Sequence, residues 1–287
     1  MPVNPQTALN YESAPVEFSY DEDKVILYNL GIGWGSKPVD PTHLKFTYEN
    51  GLEVFPTFGV VPSFIANMGA MGAPGMDVNP MMILHGEQYT EVLNPIPTAA
   101  TLVSTGKITG IYDKGKGAFI VIDVISSDKK SGKPIFKNTY GIFARGEGGF
   151  GGDGGPKPAY DAPSRAPDAV VETATLPQQA LLYRLSGDKN PLHADPNFAM
   201  MGGFSTPILH GLCTYGIVGR AVFETYCGGD MKKFKSIKVR FVKPVFPSET
   251  IITRMWKDGN TVIVNAVVKR DGQDVEVVGN AAVILNG

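Results

Sequence analysis

The sequence predicts an α+β fold in which one unit is written twice, each copy an antiparallel sheet wrapping a central helix. Three observations carry this prediction. Leu27–Gly35, LYNLGIGWG, echoes Leu182–Asn190, LYRLSGDKN. Val92–Ser127 echoes Phe241–Gly272, each with a proline pair, an alternating strand, a charged glycine-containing turn and a second strand. Finally, no helical pattern separates the alternating segments, as a parallel doubly wound sheet would require. At 287 residues the chain has room for two units, each of roughly 130–150 residues with its own core.

The elements follow in chain order. The first unit, residues 1–144, has four prolines and several glycines within Gly51–Gly86, so its central helix is expected to be short or broken. The same stretch carries Met68, Met71, Met76, Met81 and Met82. Unbranched, polarizable methionines suit an adaptable wall around a flexible apolar ligand, and equally suit gap-filling in a core. Residues 145–167 are so rich in Gly and Pro that they read as a linker without regular structure. In the second unit, residues 168–287, Ile208–Tyr226 is small and apolar on all sides, which predicts a buried helix of about five turns. Four segments of period 2 accompany it: Phe234–Val242, Thr250–Asp258, Thr261–Arg270 and Val275–Leu285.

Charge and composition exclude several classes. With 26 Lys+Arg against 28 Asp+Glu there is no basic field to hold a nucleic-acid backbone, so no nucleic-acid partner is expected. The only cysteines, Cys213 and Cys227, form no CxxC, and no His cluster stands at metal-ligand spacing. Neither a disulfide framework nor a metal is expected, and a reducing compartment fits. MPVNPQTALNYESAP lacks the basic and apolar regions of a signal peptide, and no window offers about 18 uninterrupted apolar residues. The expected compartment is the bacterial cytoplasm, or the peroxisome in a eukaryote, although VILNG is not a Ser-Lys-Leu type ending.

The chemistry concentrates in GDKNPLH. Asp188, Asn190 and His193 bracket Pro191, which blocks a simple helical continuation, and an irregular turn can bring all three toward one water. An acid beside an imidazole supplies a proton acceptor and donor near neutral pH, and an amide orients without titrating. The alternative is a plain capped turn, with Ser186 or Asp188 as cap and Asn-Pro as turn starter. Farther on, His210 and Gly211 stand at the start of the buried helix. Unpaired N–H groups and the helix dipole there can hold an oxygen such as that of a thioester enolate.

Taken together, YRLSGDKNPLH and GFSTPILHGLCTYG resemble the signature of the (R)-specific 2-enoyl-CoA hydratases, the hydratase 2 group of MaoC-like hot-dog proteins. ILHGEQYTEVLNPIP and GGFGG extend the resemblance to the two-domain, double hot-dog form, over nearly the whole chain. The resemblance implies a tandem hot-dog fold whose N-terminal copy, with a degenerate helix, binds the acyl chain and CoA. It implies Asp188 and His193 as the acid/base pair, Asn190 as a holder of the reacting water, and the Gly211 N–H as donor to the thioester oxygen. Ligand contacts fall on His85 and Gly86, on Lys114 in DKGKG, and on Phe241 in VRFVKP. The substrate implied is an acyl-CoA, with no further cofactor, and the assembly a homodimer.

The implied reaction is reversible hydration of trans-2-enoyl-CoA to (3R)-3-hydroxyacyl-CoA, on medium to long chains. Related alternatives are 3-hydroxyacyl carrier-protein dehydration, thioester hydrolysis, or non-catalytic acyl-CoA binding. Aligning the two copies without gaps sets Gly33 opposite Asp188 and Pro38 opposite His193. One active site per chain is therefore expected, the first copy being adapted to contain the acyl tail.

Overall fold

A computed structural model describes residues 3–287; Met1 and Pro2, part of the expected first unit and of the stretch read for a signal peptide, lie outside the described residues. The N-terminal half runs α1 (Pro5–Ala8), β1 (Val16–Tyr20), α2 (Glu22–Gly31), α3 (Pro41–Leu44), α4 (Val60–Met71), β2 (Ile83–Val92), β3 (Ala100–Asp113), β4 (Gly117–Asp128) and β5 (Pro134–Arg145). The C-terminal half runs β6 (Ala169–Ala174), α5 (Gln179–Tyr183), α6 (Pro196–Met201), α7 (Gly211–Tyr226), β7 (Phe234–Phe241), β8 (Thr250–Asp258), β9 (Thr261–Arg270) and β10 (Gln273–Leu285). Residues 146–168 between them hold no helix or strand.

The ten strands form one antiparallel sheet in the order β1-β3-β4-β5-β2-β7-β10-β9-β8-β6. Counted inward from either edge, each half contributes its first, third, fourth, fifth and second strand, so the repeat in the sequence is a repeat in topology. The halves meet where β2 pairs with β7, Glu87 opposite Arg240 and Glu91 opposite Ser236. This is the tandem hot-dog arrangement.

Alternation decides which face of a strand is buried. In β3, Leu102, Ser104, Gly106 and Ile108 turn inward. Helix α4 lies so close to that face that a Cβ on Gly106 would stand 2.5 Å from the Ala66 carbonyl oxygen. Pro62 falls in the first turn of α4, where a missing N–H costs no hydrogen bond, so the helix is unbroken. It spans 12 residues against 16 in α7, and so is the shorter of the pair as expected.

Three expectations need correction. Helix α7 begins at Gly211 rather than Ile208, because the Ile208 carbonyl accepts from His193 and the Leu209 N–H donates to Val245. Strand β6, paired with β8, was not anticipated; only alternate residues are covered and its run is short. The two halves also do not bury separate cores. Trp34, Phe46 and Phe55 from the first half pack edge-on against Phe223 of α7, and the larger apolar cluster draws on both halves. A second cluster, with Ala66, Ala70, Ile108 and Ile120, lies beneath α4.

Cys213 and Cys227 are buried and free. Among the described residues no helix is long and apolar enough to cross a membrane.

Candidate active site

A cleft of about 1250 Å³ is lined from both halves, and all eight residues selected from the sequence border it: His85, Gly86, Lys114, Asp188, Asn190, His193, Gly211 and Phe241. Five short segments far apart in the chain thus converge.

The GDKNPLH segment is both a capped turn and part of this cleft. Gly187 takes φ +134°, a conformation that L side chains rarely adopt, and starts the reversal. Asp188 Oδ1 accepts from the Asn190 N–H at 3.1 Å, and Asn190 Oδ1 accepts from the Leu192 N–H at 3.0 Å, capping the 3-10 turn Pro191–His193. With Oδ1 engaged in the cap, Asn190 keeps both Nδ2 hydrogens to offer a ligand.

His193 is buried, with Nδ1 2.8 Å from the Ile208 carbonyl oxygen. A carbonyl can only accept, so Nδ1 carries the proton and Nε2 keeps a lone pair. His210 stacks on His193, ring centroids 3.7 Å apart and 25° from parallel. Its Nε2 donates to the Asp188 carbonyl at 3.0 Å, leaving Nδ1 buried without a partner. Burial lowers the pKa of His193, and the Ile208 bond and Asp188 only partly oppose it; burial with His193 beside it lowers His210 to about 3. Both rings are therefore neutral near pH 7. One Asp188 oxygen and one nitrogen of each ring lie within 4.8 Å of one another. Three such atoms resemble a metal set, yet stacked rings direct their lone pairs side by side rather than onto one ion.

Gly211 opens α7, and its N–H has no acceptor among the described residues. The Phe241 ring packs so near that a Cβ on Gly211 would meet it at 3.3 Å. Phe241 in turn meets His85 edge-on at 5.1 Å, and His85 stacks on Tyr140 at 5.4 Å. The β2–β5 register slips between His85 and Glu87, so Gly86 is a β-bulge that re-aims His85 into the cleft. Burial lowers the His85 pKa to about 4. Two identical tetrapeptides, Ile83–Gly86 and Ile208–Gly211, thus reach one cleft by unlike routes, a bulge and a helix start.

Lys114 is exposed, stands 5.8 Å over the Phe119 ring and donates to the Gly154 carbonyl. Arg145, Lys189, Arg240 and Lys243 also line the cleft. Arg240 is committed to Glu87, its Nε 2.9 Å from Oε1.

Of the methionines, Met68 and Met71 line the cleft, whereas Met76 is buried in the second core cluster and Met81 and Met82 are exposed. The expected methionine wall is thus confined to α4; Met76, Met81 and Met82 do not line the cleft, although Pro80 and Ile83 to Glu87 around them do. In the first copy, Gly33 takes φ +88° and a Cβ there would lie 3.3 Å from the Arg220 guanidinium. Trp34 stacks on Phe46 at 4.1 Å with the same guanidinium over its ring. The turn that matches Asp188–His193 is therefore filled by packing.

The sequence singled out His210 only as a helix start, and missed Tyr140, Arg145 and Lys243. Nothing in their local sequence marks the last three; tertiary contact alone brings them in.

Residues 18–146 match the family described as MFE-2 hydratase 2 N-terminal domain, and residues 159–278 the MaoC like domain. A probable enoyl-CoA hydratase 2 of Dictyostelium discoideum is 47% identical over 283 residues, 96% of this chain and 95% of that protein. The peroxisomal multifunctional enzyme type 2 of Mus musculus is 44% identical over 285 residues, 97% of this chain but 38% of that longer protein. A solved structure of a MaoC-like dehydratase from Phytophthora capsici matches with a TM-score of 0.87 at 39% identity, over 99% of both chains. With both halves matched in series and such identity running the length of the Dictyostelium relative, the chain belongs to the hydratase 2 family of MaoC-like, double hot-dog proteins.

Proposed function

We propose that the protein adds water reversibly across the 2,3 double bond of trans-2-enoyl-CoA, giving (3R)-3-hydroxyacyl-CoA, on medium to long chains in fatty acid β-oxidation or related acyl-CoA metabolism. The observation that carries this reading is the convergence of Asp188, a neutral His193 and the free N–H of Gly211 in one cleft. The Gly211 N–H and the positive end of α7 bind the thioester oxygen, which makes C3 electrophilic and stabilises the enolate. His193 Nε2, whose tautomer is set by Ile208, takes a proton from water as the water oxygen bonds to C3. The Asp188–His193 pair then returns a proton to C2 on the same face, so the sum is one water added.

In this reading Asn190 Nδ2 orients the water, and His85, Gly86 and Phe241 wall the thioester. Lys114 meets the CoA phosphates, and Phe64, Met68 and Met71 flank the acyl tail. The N-terminal copy, 1–144, thus binds substrate, 145–167 links, and 168–287 supplies the chemistry. A homodimer belongs to the same reading and is checked by light scattering.

The direct test follows enoyl absorbance and the chirality of the product. Asp188→Asn and His193→Gln should each lower turnover by about 10²–10⁴-fold with melting temperature little changed. Near-normal turnover in either variant, or an S product, would sink the mechanism. Release of free thiol would point to thioester hydrolysis, and faster turnover on carrier protein to a synthetic dehydratase.

A further inference from the structure

The glycine-rich segment after β5 is fastened to the β3–β4 turn by one carboxylate. Asp113 Oδ1 accepts from the Gly115 N–H at 2.7 Å and the Gly149 N–H at 2.9 Å, and Oδ2 from the Gly151 N–H at 2.6 Å. These bonds hold the Asp113 carboxyl below the usual carboxylate range. Two further bonds join the same pieces: Gly146 N–H to the Lys116 carbonyl at 2.9 Å, and Lys114 Nζ to the Gly154 carbonyl.

Close seating demands glycine at the contacts. A Cβ on Gly148 would stand 2.4 Å from the Gly115 carbonyl oxygen, and one on Gly155 2.6 Å from the Tyr112 ring. Phe150 packs onto the apolar cluster beneath α4. Residues 146–155 are therefore a strap with a defined seat rather than slack chain. Just past the seat, Pro156 and Pro158 line the cleft that Lys114 and Arg145 also border.

We propose that Asp113 is a positioning residue for the phosphorylated handle of the thioester: by seating the strap it sets Lys114, Arg145, Pro156 and Pro158 as one wall for the nucleotide end of CoA. The proposal rests on the acyl-CoA reading above. Asp113 touches backbone only and stands outside the reacting centre, so its loss should act on binding of the handle and not on the chemical step.

The experiment compares an enoyl-CoA with the same enoyl group on pantetheine, which lacks the nucleotide, in the unaltered protein and in Asp113→Ala and Asp113→Asn. Calorimetry with CoA alone supplies binding without turnover. Asp113→Ala should raise KM for enoyl-CoA and Kd for CoA about tenfold, leaving kcat and the pantetheine kcat/KM within about twofold. Asp113→Asn, whose Nδ2 cannot accept from Gly151, should fall between, and carries the same comparison if the alanine variant does not fold. Equal loss on both substrates, loss confined to kcat, or an unchanged Kd for CoA overturns the proposal. An unaltered protein that binds CoA but hydrates neither substrate would defeat the hydration reading, while the CoA Kd values still decide the role of Asp113. Failure of the unaltered protein to bind CoA overturns both.

Discussion

His193 illustrates how much of a catalytic group lies outside its own side chain. Its tautomer comes from the Ile208 carbonyl and its lowered pKa from burial. A base must be neutral to act, so kcat/KM should stay high as pH falls through 6.5, the ordinary imidazole value, and decline only below it. An acid limb centred above neutrality would contradict the assignment. His210 supports the arrangement by bonding the Asp188 carbonyl and stacking on His193. His210→Phe keeps an aromatic ring there but removes the donor, and should cost roughly 1–3 kcal/mol of stability together with a fall in kcat. Urea unfolding and steady-state kinetics on one preparation check both; unchanged kcat would show that the bond does not position the dyad. At this scale the sequence was informative about Asp188, Asn190 and His193, because their spacing is local. It was silent on the stack, since 16 residues of intervening chain separate positions 193 and 210.

Among the elements, helix α7 and strands β7 to β10 were readable because their patterns are strong: apolar on all sides in one, period 2 in the others. Boundaries moved where the site claimed backbone groups, as at Ile208 and Leu209. Strand β6 escaped notice because six residues with one solvated face carry little pattern. The close contact of α4 on β3 makes a prediction. Gly106→Ala would drive a methyl to 2.5 Å from the Ala66 carbonyl, a backbone atom that cannot rotate away. Stability should drop by roughly 1–3 kcal/mol, read as a lower urea midpoint at constant m. An unchanged midpoint would mean that α4 slides freely on the sheet.

Across the whole molecule, the repeated sheet makes one continuous surface on which only one copy retains an acid and an imidazole. Calorimetric titration with CoA should therefore give one equivalent per chain; two would show that packing around Gly33 and Trp34 does not close the matching site. His85, His193 and His210 also link the fold to pH. Their folded pKa values lie below 6.5, about 4 for His85 and about 3 for His210, so the unfolded chain binds more protons between those values and 6.5. Stability is fully present above about pH 6.5 and is lost as pH falls toward the folded values. Urea unfolding between about pH 5 and 7 should show this slope, and His85→Gln should flatten it. A slope of the opposite sign would refute the burial of neutral imidazoles.

The sequence by itself determined the α+β class, the duplication, the long apolar helix and the local turn that holds Asp188, Asn190 and His193. Each of these is written in residues near one another, as periodicity, repetition or turn chemistry. Only the tertiary structure decided that both halves share a core, that His210 lies on His193, and that Arg145 and Lys243 face the same cleft. It also decided that the glycine-rich segment is seated by Asp113 rather than free. Those contacts join residues far apart along the chain, and no local pattern encodes which distant backbone or ring will be the neighbour.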